Sequence, residues 1–266
     1  MALIKTRRGS EWHVETTGTG ETVVLIHGFG ASGCWWQAQK DFLGAGYQVV
    51  TPDLPGHGQS SWTPSTLAQT AMDLGDILNS LGVVQVNLVA SSLGGLVALE
   101  LCCLMPENIK CLSLVGSLPK FARGDHYPAG LDIDKIHILS RQFDGNYLSV
   151  LEIFFRSLFS MKERQSDRYK SVKDLYRTQP LPGREALKSF LDILEKADLR
   201  DRLTSINCPV QFITGTEDYI CPRAIMDWLS ARMPRARFDF IDGCGHLPFL
   251  VEAKEYNRLL GDFLVR

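Results

Sequence analysis

The segment LVASSLGGLVALE, residues 88–100, decides the fold. An apolar, β-branched run (VNLVA, 86–90) meets an apolar helical run (LGGLVALELC, 93–102) with only two serines between them. A strand that passes into a helix through so short a turn forms a strained elbow, which exposes the side chain at its apex. The positions two before and two after the apex crowd one another, so both must be small. Around Ser92 they are Ala90 and Gly94; around Ser91 they are Val89 and Leu93. Ser92 is therefore the apex and the candidate nucleophile. Ser91 fills the variable place before it. Ala90 departs by one methyl group from the glycine usual at that place. The plainer reading, two helix N-cap serines, leaves the spacing and both flanking elements unexplained.

A serine hydroxyl is a weak nucleophile near neutral pH. It needs a base, an orienting acid and an anion-stabilising pocket. Of six histidines, His246 in IDGCGHLPF (241–249) follows the last expected strand, and Gly243 and Gly245 let its loop turn sharply. It is the expected general base. His13 lies in an edge hairpin, His126 and His137 at the entrance of an insertion, and His27 and His57 in tight glycine-rich loops. The acid is expected in FITGTEDYICP (212–222), where Asp218 is preferred to Glu217. Its task would be to accept the second ring N–H of His246. The chain order Ser92, Asp218, His246 is the one the elbow architecture uses. The oxyanion hole is expected from the backbone N–H of Leu93, at a helix N-terminus where the dipole favours negative charge. The second donor is expected to be the N–H of Phe29, in HGFG (27–30), with His27 bracing that loop.

Further out, short β-branched runs alternate with helical patterns. Strands are expected at 23–26, 48–51, 86–90, 111–115, 210–214 and 237–241. Helices are expected at 34–43, 66–81, 93–104, 184–196, 222–233 and 253–265. Buried strands alternating with helices mean an α/β fold: a mostly parallel central sheet covered on both faces. Residues 4–16 add an edge hairpin turning at Gly9 and Ser10. Between Val115 and Val210 the alternation pauses. Residues 134–177 read as helical, amphipathic and rich in aromatics, and are expected to sit as a cap over the strand C-termini, where open α/β sheets bind ligands. The expected division is a core of 1–118 and 183–266 with a helical cap of 119–182. No internal repeat or low-complexity tract interrupts it.

Composition excludes several classes. The 266 residues are 45% hydrophobic with a formal net charge of −2, which leaves no whole-chain footprint for nucleic acid or an anionic membrane. Seven cysteines lie in apolar surroundings without a CxxC pair, as in a reduced cytoplasmic protein. The start, MALIKTRRGSEW, has no apolar stretch after its charges, so no signal peptide is expected. No metal site or cofactor is expected. One rival motif stands out: Gly28, Gly30 and Gly33 satisfy GxGxxG after a strand, and Asp53 stands 20 positions later. Against a dinucleotide site, the helix opens with Cys34, Trp35 and Trp36, too bulky for close packing, and Asp53 runs into a tight LPGHGQS turn.

Taken together, HGFG, DLPGHGQS, ASSLGG, GTEDYICP and GCGHLPF resemble the α/β-hydrolase family over nearly the whole chain. Serine at 92 separates it from the dehalogenase and epoxide-hydrolase branches, which carry aspartate there. Within the family, LKSFLDILEKADLRDRLTSINCPVQFITGTEDYICP resembles the post-cap region of the pimeloyl-[acyl-carrier protein] methyl ester esterases of biotin synthesis. ERQSDR (163–168) resembles a cap helix that bears basic residues for the carrier. This resemblance implies a serine carboxylesterase acting on an ester held by acyl-carrier protein. The residues agree in part: from 156 to 177 there are seven Lys/Arg against three Asp/Glu, a basic patch on an acidic chain. Arg164 and Arg168, spaced i, i+4, would share a helical face for docking the carrier. Phe143, Phe154, Phe155 and Phe159 are candidates to line an acyl channel, or equally to glue the cap to the core. A monomer is expected. The alternatives are another hydrolase of the fold, such as a general carboxylesterase or C–C bond hydrolase, and a ligand receptor that keeps a hydrolase pocket.

Overall fold

The computed structural model describes residues 1–127 and 130–265. Its centre is β5 (Val86–Ser91), every residue of which is buried. Val86, Leu88, Val89 and Ala90 are each at most 1% exposed, as a central parallel strand covered on both faces requires. It lies parallel to β3 (Glu21–Ile26), with Val24 opposite Leu88, and to β6 (Ile109–Val115), with Leu112 opposite Leu88. Beyond β3 lies β4 (Tyr47–Pro52); beyond β6 lie β7 (Val210–Gly215) and β8 (Arg237–Ile241), all parallel. The hairpin of β1 (Ala2–Lys5) and β2 (Glu11–Thr17) closes the β4 edge antiparallel. The sheet order is β1-β2-β4-β3-β5-β6-β7-β8. This is the expected α/β class.

The helices follow from the same patterning. α3 (Leu93–Leu104) is buried from Leu93 through Cys102, which is why it reads apolar all round. α2 (Leu67–Ser80) begins at a capping box between Thr66 and Gln69. α1 (Gln37–Leu43) is shorter than expected, because residues 33–36 form a 3-10 turn. Two adjacent tryptophans are pulled opposite ways there. Trp36 stacks on Phe249 at 4.2 Å, and Trp35 meets Phe155 edge-on at 5.7 Å.

Between β6 and β7 the chain forms α4 (Ile133–Gln142), α5 (Tyr147–Ser157), α6 (Asp167–Thr178) and α7 (Arg184–Lys196). Of the expected cap span, residues 128 and 129 lie outside the described residues. The expected helical stretch 134–177 is interrupted twice. α4 stops at Gln142 with Phe143 as its C-cap, and Asn146 caps α5, its side chain accepting the Ser149 N–H. Residues 158–166 then leave the helix to run along the loop after β8. α7 packs on α4 and reaches the core, where Phe190 meets His57 edge-on at 5.1 Å. After β7 come α8 (Arg223–Ser230), α9 (Pro248–Val251) and α10 (Ala253–Leu264). Among the described residues, no helix is long and apolar enough to cross a membrane.

Candidate active site

Ser92 occupies the turn between β5 and α3 with φ +51° and ψ −120°. A non-glycine residue held there stores about 1–3 kcal/mol, so its surroundings must over-determine it. They do. The Ser92 N–H donates to the Val115 carbonyl (2.9 Å), and the Ser117 hydroxyl donates to the Ser92 carbonyl (3.0 Å). The position two after the apex must indeed be small, but for a different reason from the one expected. A Cβ on Gly94 would lie 2.5 Å from the His27 carbonyl oxygen and 2.7 Å from that of Ile26. The wall it faces is the end of β3, not Ala90.

The loops after β7 and β8 bring two more side chains to this turn. The Ser92 hydroxyl lies 2.9 Å from His246 Nε2, and His246 Nδ1 lies 2.8 Å from Asp218 Oδ2. A carboxylate only accepts, so Nδ1 carries the ring proton and Nε2 presents a lone pair to the hydroxyl. Asp218 Oδ1 accepts the N–H groups of Ile220 (2.8 Å) and Cys221 (3.0 Å), which fixes the carboxylate's plane. His246 and Asp218 are buried while Ser92 is half-buried, so the relay opens only at the hydroxyl. The Cys221 thiol lies within 4.8 Å of the ligand atoms of Asp218 and His246. That donor set does not suit a cation: burial pushes the thiol well above its usual range, and both carboxylate oxygens are already engaged.

The glycine-rich loop after β3 lies directly on the elbow, since a Cβ on Gly28 would sit 3.1 Å from Ser92 Cβ. The Leu93 N–H, at the first position of α3, has no acceptor inside its helix. The Phe29 ring is wedged between Phe143 (6.3 Å) and Phe154 (5.4 Å, edge-on). Two buried imidazoles hold the loop's backbone. His27 Nε2 accepts the Leu54 N–H (2.9 Å), and His57 Nε2 accepts the Gly30 N–H (3.3 Å). Both must be neutral to accept. Burial, with His27 alongside, holds His57 down to about 3, and burial lowers His27 against the pull of Asp53.

These depressed values set a pH dependence. The unfolded chain takes up these protons near 6.5, so stability is complete above that pH and falls as pH drops from 6.5 toward 3. His57→Gln keeps an acceptor and removes one titration. Its urea midpoint should fall less steeply than the wild type's below pH 6.5, by up to about 1.4 kcal/mol per pH unit in unfolding free energy. Equal slopes would refute the assignment.

A model of the family described as alpha/beta hydrolase fold matches residues 21–253. The chain belongs to the α/β-hydrolase family. As a hydrolase of that family it has curated relatives along nearly all its length. It is 32% identical over 240 residues to the pimeloyl-[acyl-carrier protein] methyl ester esterase of Nitrosomonas europaea, covering 90% of this chain and 93% of that protein. It is 31% identical over 250 residues to the protein of the same name from Proteus mirabilis, covering 92% and 94%. Among solved structures, the esterase EaEST from Exiguobacterium antarcticum matches with a TM-score of 0.91 at 24% identity over 99% of both chains, a likeness of fold.

The rival dinucleotide motif is accounted for within the hydrolase. Asp53 Oδ1 accepts the Gly33 N–H (2.7 Å), while Oδ2 accepts the Gln59 N–H and faces His13 Nδ1, both at 2.9 Å. It braces two loops and has no oxygen left for a ribose.

The helical segment between β6 and β7 corrects two expectations. Arg164 and Arg168 do not share a helical face. Arg164 lies in a 3-10 turn (Glu163–Gln165), and extended Ser166 separates it from α6, because that serine caps the helix through the Tyr169 N–H. Arg168 is tied to the body instead, donating to the Val251 carbonyl (2.6 Å) and to Glu252 (3.0 Å). Phe155 and Phe159 do not face the elbow. Phe155 stacks on Tyr176 at 4.2 Å, and Phe159 meets Phe155 and Tyr169 edge-on, each at 5.0 Å, in a closed aromatic cluster. Adjacent helix positions point about 100° apart, so Phe154 alone of the three meets the Phe29 loop.

Two residues between β6 and β7 that the sequence did not single out hold the loops of the candidate site. Gln179 Oε1 accepts from Trp35 Nε1 (2.7 Å) and the Ser32 hydroxyl (2.8 Å), and its Nε2 donates to the Gly30 carbonyl (3.3 Å). Glu163 Oε2 accepts the N–H groups of Ser160 (2.6 Å) and Gly245 (3.0 Å). Nothing in SMKERQSD or RTQPLP marks either as buried. Gln179→Ala strands an indole N–H and a backbone carbonyl. It should cost about 2–3 kcal/mol, which differential scanning calorimetry would show as a drop in Tm of several degrees; an unchanged Tm would exclude this role.

Proposed function

We propose that this esterase of the α/β-hydrolase fold removes the methyl ester from pimeloyl-[acyl-carrier protein] in biotin synthesis, releasing the free acid and methanol. Ser92 attacks the ester carbonyl while His246 Nε2 takes its proton. Asp218 stabilises the imidazolium, and the N–H groups of Leu93 and Phe29 hold the oxyanion. His246 then protonates the departing methoxide and afterwards activates the water that frees the acid. The observation that carries the chemistry is the unbroken relay from Ser92 Oγ through His246 to Asp218. The relatives' names support the substrate.

The thioester-linked substrate offers two carbonyls. A carrier docked outside the cap would leave the distal methyl ester to reach Ser92. The basic cap supports such docking, though with a revised set of residues. Lys170, Lys173 and Arg177 are paired with Asp167 and Glu152. Among the described residues, Arg156 and Lys162 are exposed, and Arg164, which donates to the Ser160 carbonyl, is half-exposed; these three basic groups are the ones placed for an acidic carrier.

The test compares the methyl ester of pimeloyl-loaded carrier protein with dimethyl pimelate and a short p-nitrophenyl ester. The carrier-bound ester is expected to be preferred in kcat/KM by more than about tenfold, or about 1.4 kcal/mol. Vigorous turnover of the small esters without carrier preference would instead assign a general carboxylesterase.

A further inference from the structure

We propose that Glu163 is a positioning residue for His246, holding the base in line with Ser92 through the backbone of its loop. The inference rests on the serine-esterase reading above. The loop between β8 and α9 carries His246, and the cap supplies three of its backbone partners. The His246 N–H donates to the Leu158 carbonyl (2.8 Å), the Ser160 hydroxyl donates to the Gly243 carbonyl (3.0 Å), and the Gly245 N–H donates to Glu163 Oε2 (3.0 Å). On its other side the loop has the Glu217 N–H, which donates to the Cys244 carbonyl (2.8 Å). Glu163 Oε2 also accepts the Ser160 N–H, so one oxygen ties both chain segments together. The approach is close: a Cβ on Gly245 would lie 2.6 Å from the Leu158 carbonyl oxygen.

The carboxylate is placed to hold backbone rather than to fill space. Glu163 is 6% exposed, and its second oxygen is buried without a well-aligned hydrogen bond among the described residues, with the Cys244 thiol beside the carboxylate. Burying an ionisable group is costly, and what offsets it here is the acceptance of two buried backbone N–H groups, one of them on the residue next to His246. What it does supply is location. Gly245 is bonded directly to His246, and the Ser92–His246 contact spans 2.9 Å. A misplacement of about 1 Å in such a pair can cost about 10²-fold in rate.

Three variants test this with a p-nitrophenyl ester and a fluorophosphonate that labels activated serine. Glu163→Ala is expected to lower kcat by about 10²-fold, leave KM within about twofold, and slow labelling of Ser92 in proportion to kcat. Glu163→Gln keeps an oxygen that accepts both N–H groups and should restore most of the rate. Val172→Ala, a buried truncation in α6 that removes none of these hydrogen bonds, should lower Tm without slowing labelling. If Glu163→Ala is labelled at the wild-type rate, or slows no more than Val172→Ala, the inference falls while the esterase reading stands. Equal losses in Gln and Ala would likewise overturn it, since the acceptor would then not be what matters. If wild-type Ser92 is not labelled at all, both readings fall. Should the alanine variant not fold, Glu163→Asp, one bond shorter, carries the same expectation.

Discussion

Ser92→Ala should lower kcat by at least about 10⁴-fold while leaving the fold intact. The hydroxyl that meets His246 Nε2 at 2.9 Å is the only part of the relay that the substitution removes. The elbow's geometry is set by Val115, Ser117 and the glycine at 94, none of which contacts that hydroxyl. A paired measurement separates chemistry from strain. Ser92→Gly should be equally inactive but more stable than Ser92→Ala by about 1 kcal/mol, because glycine alone adopts φ +51° without steric cost. Turnover and urea denaturation of both variants check this. Near-normal turnover by the alanine variant would end the nucleophile assignment, and equal stability would end the strain argument.

Asp218→Asn should lower kcat near neutral pH by about 10⁴-fold, although the side chains are nearly isosteric. One carboxylate oxygen is committed to the N–H groups of Ile220 and Cys221, so the amide oxygen of Asn must take that place. Its NH2 then points at His246 Nδ1, which can only accept from it. The ring proton moves to Nε2, where it faces Ser92 as a donor and can no longer remove the hydroxyl's proton. Binding of the ester is untouched, so KM should change little. A variant that keeps more than a tenth of wild-type kcat would show that the tautomer is not set by Asp218.

Covalently local features were legible from residue order. The elbow, the strand runs, and the glycines around His246 each announce themselves within about ten residues, because backbone strain and hydrophobic period are short-range properties. That is why the α/β class and helix α3 could be read directly. The misread side-chain roles concern contacts made across the segment between β6 and β7, whereas the wall facing Gly94 and the 3-10 start before α1 were misread within the core. Arg164 and Arg168 have helical spacing, but Ser166 prefers to cap α6, and that one residue turns the pair apart. Phe154 and Phe155 are chemically identical neighbours whose fates differ only by rotation about α5. Glu163 sits in a run of charged and polar residues that looks solvated, and only the arrival of Gly245, 82 positions later, makes it interior.

The seam between insertion and scaffold has a practical consequence for redesign. Capped enzymes invite engineers to graft a foreign lid and so exchange substrate range. Here residues 158–163 and Gln179 bond to the two loops that flank Ser92. A transplant that ignored those stitches would slacken the machinery beneath along with changing the doorway. Any working chimaera must carry matching acceptors at both places, so the lid and the machinery it covers have to be exchanged, or evolve, as one unit.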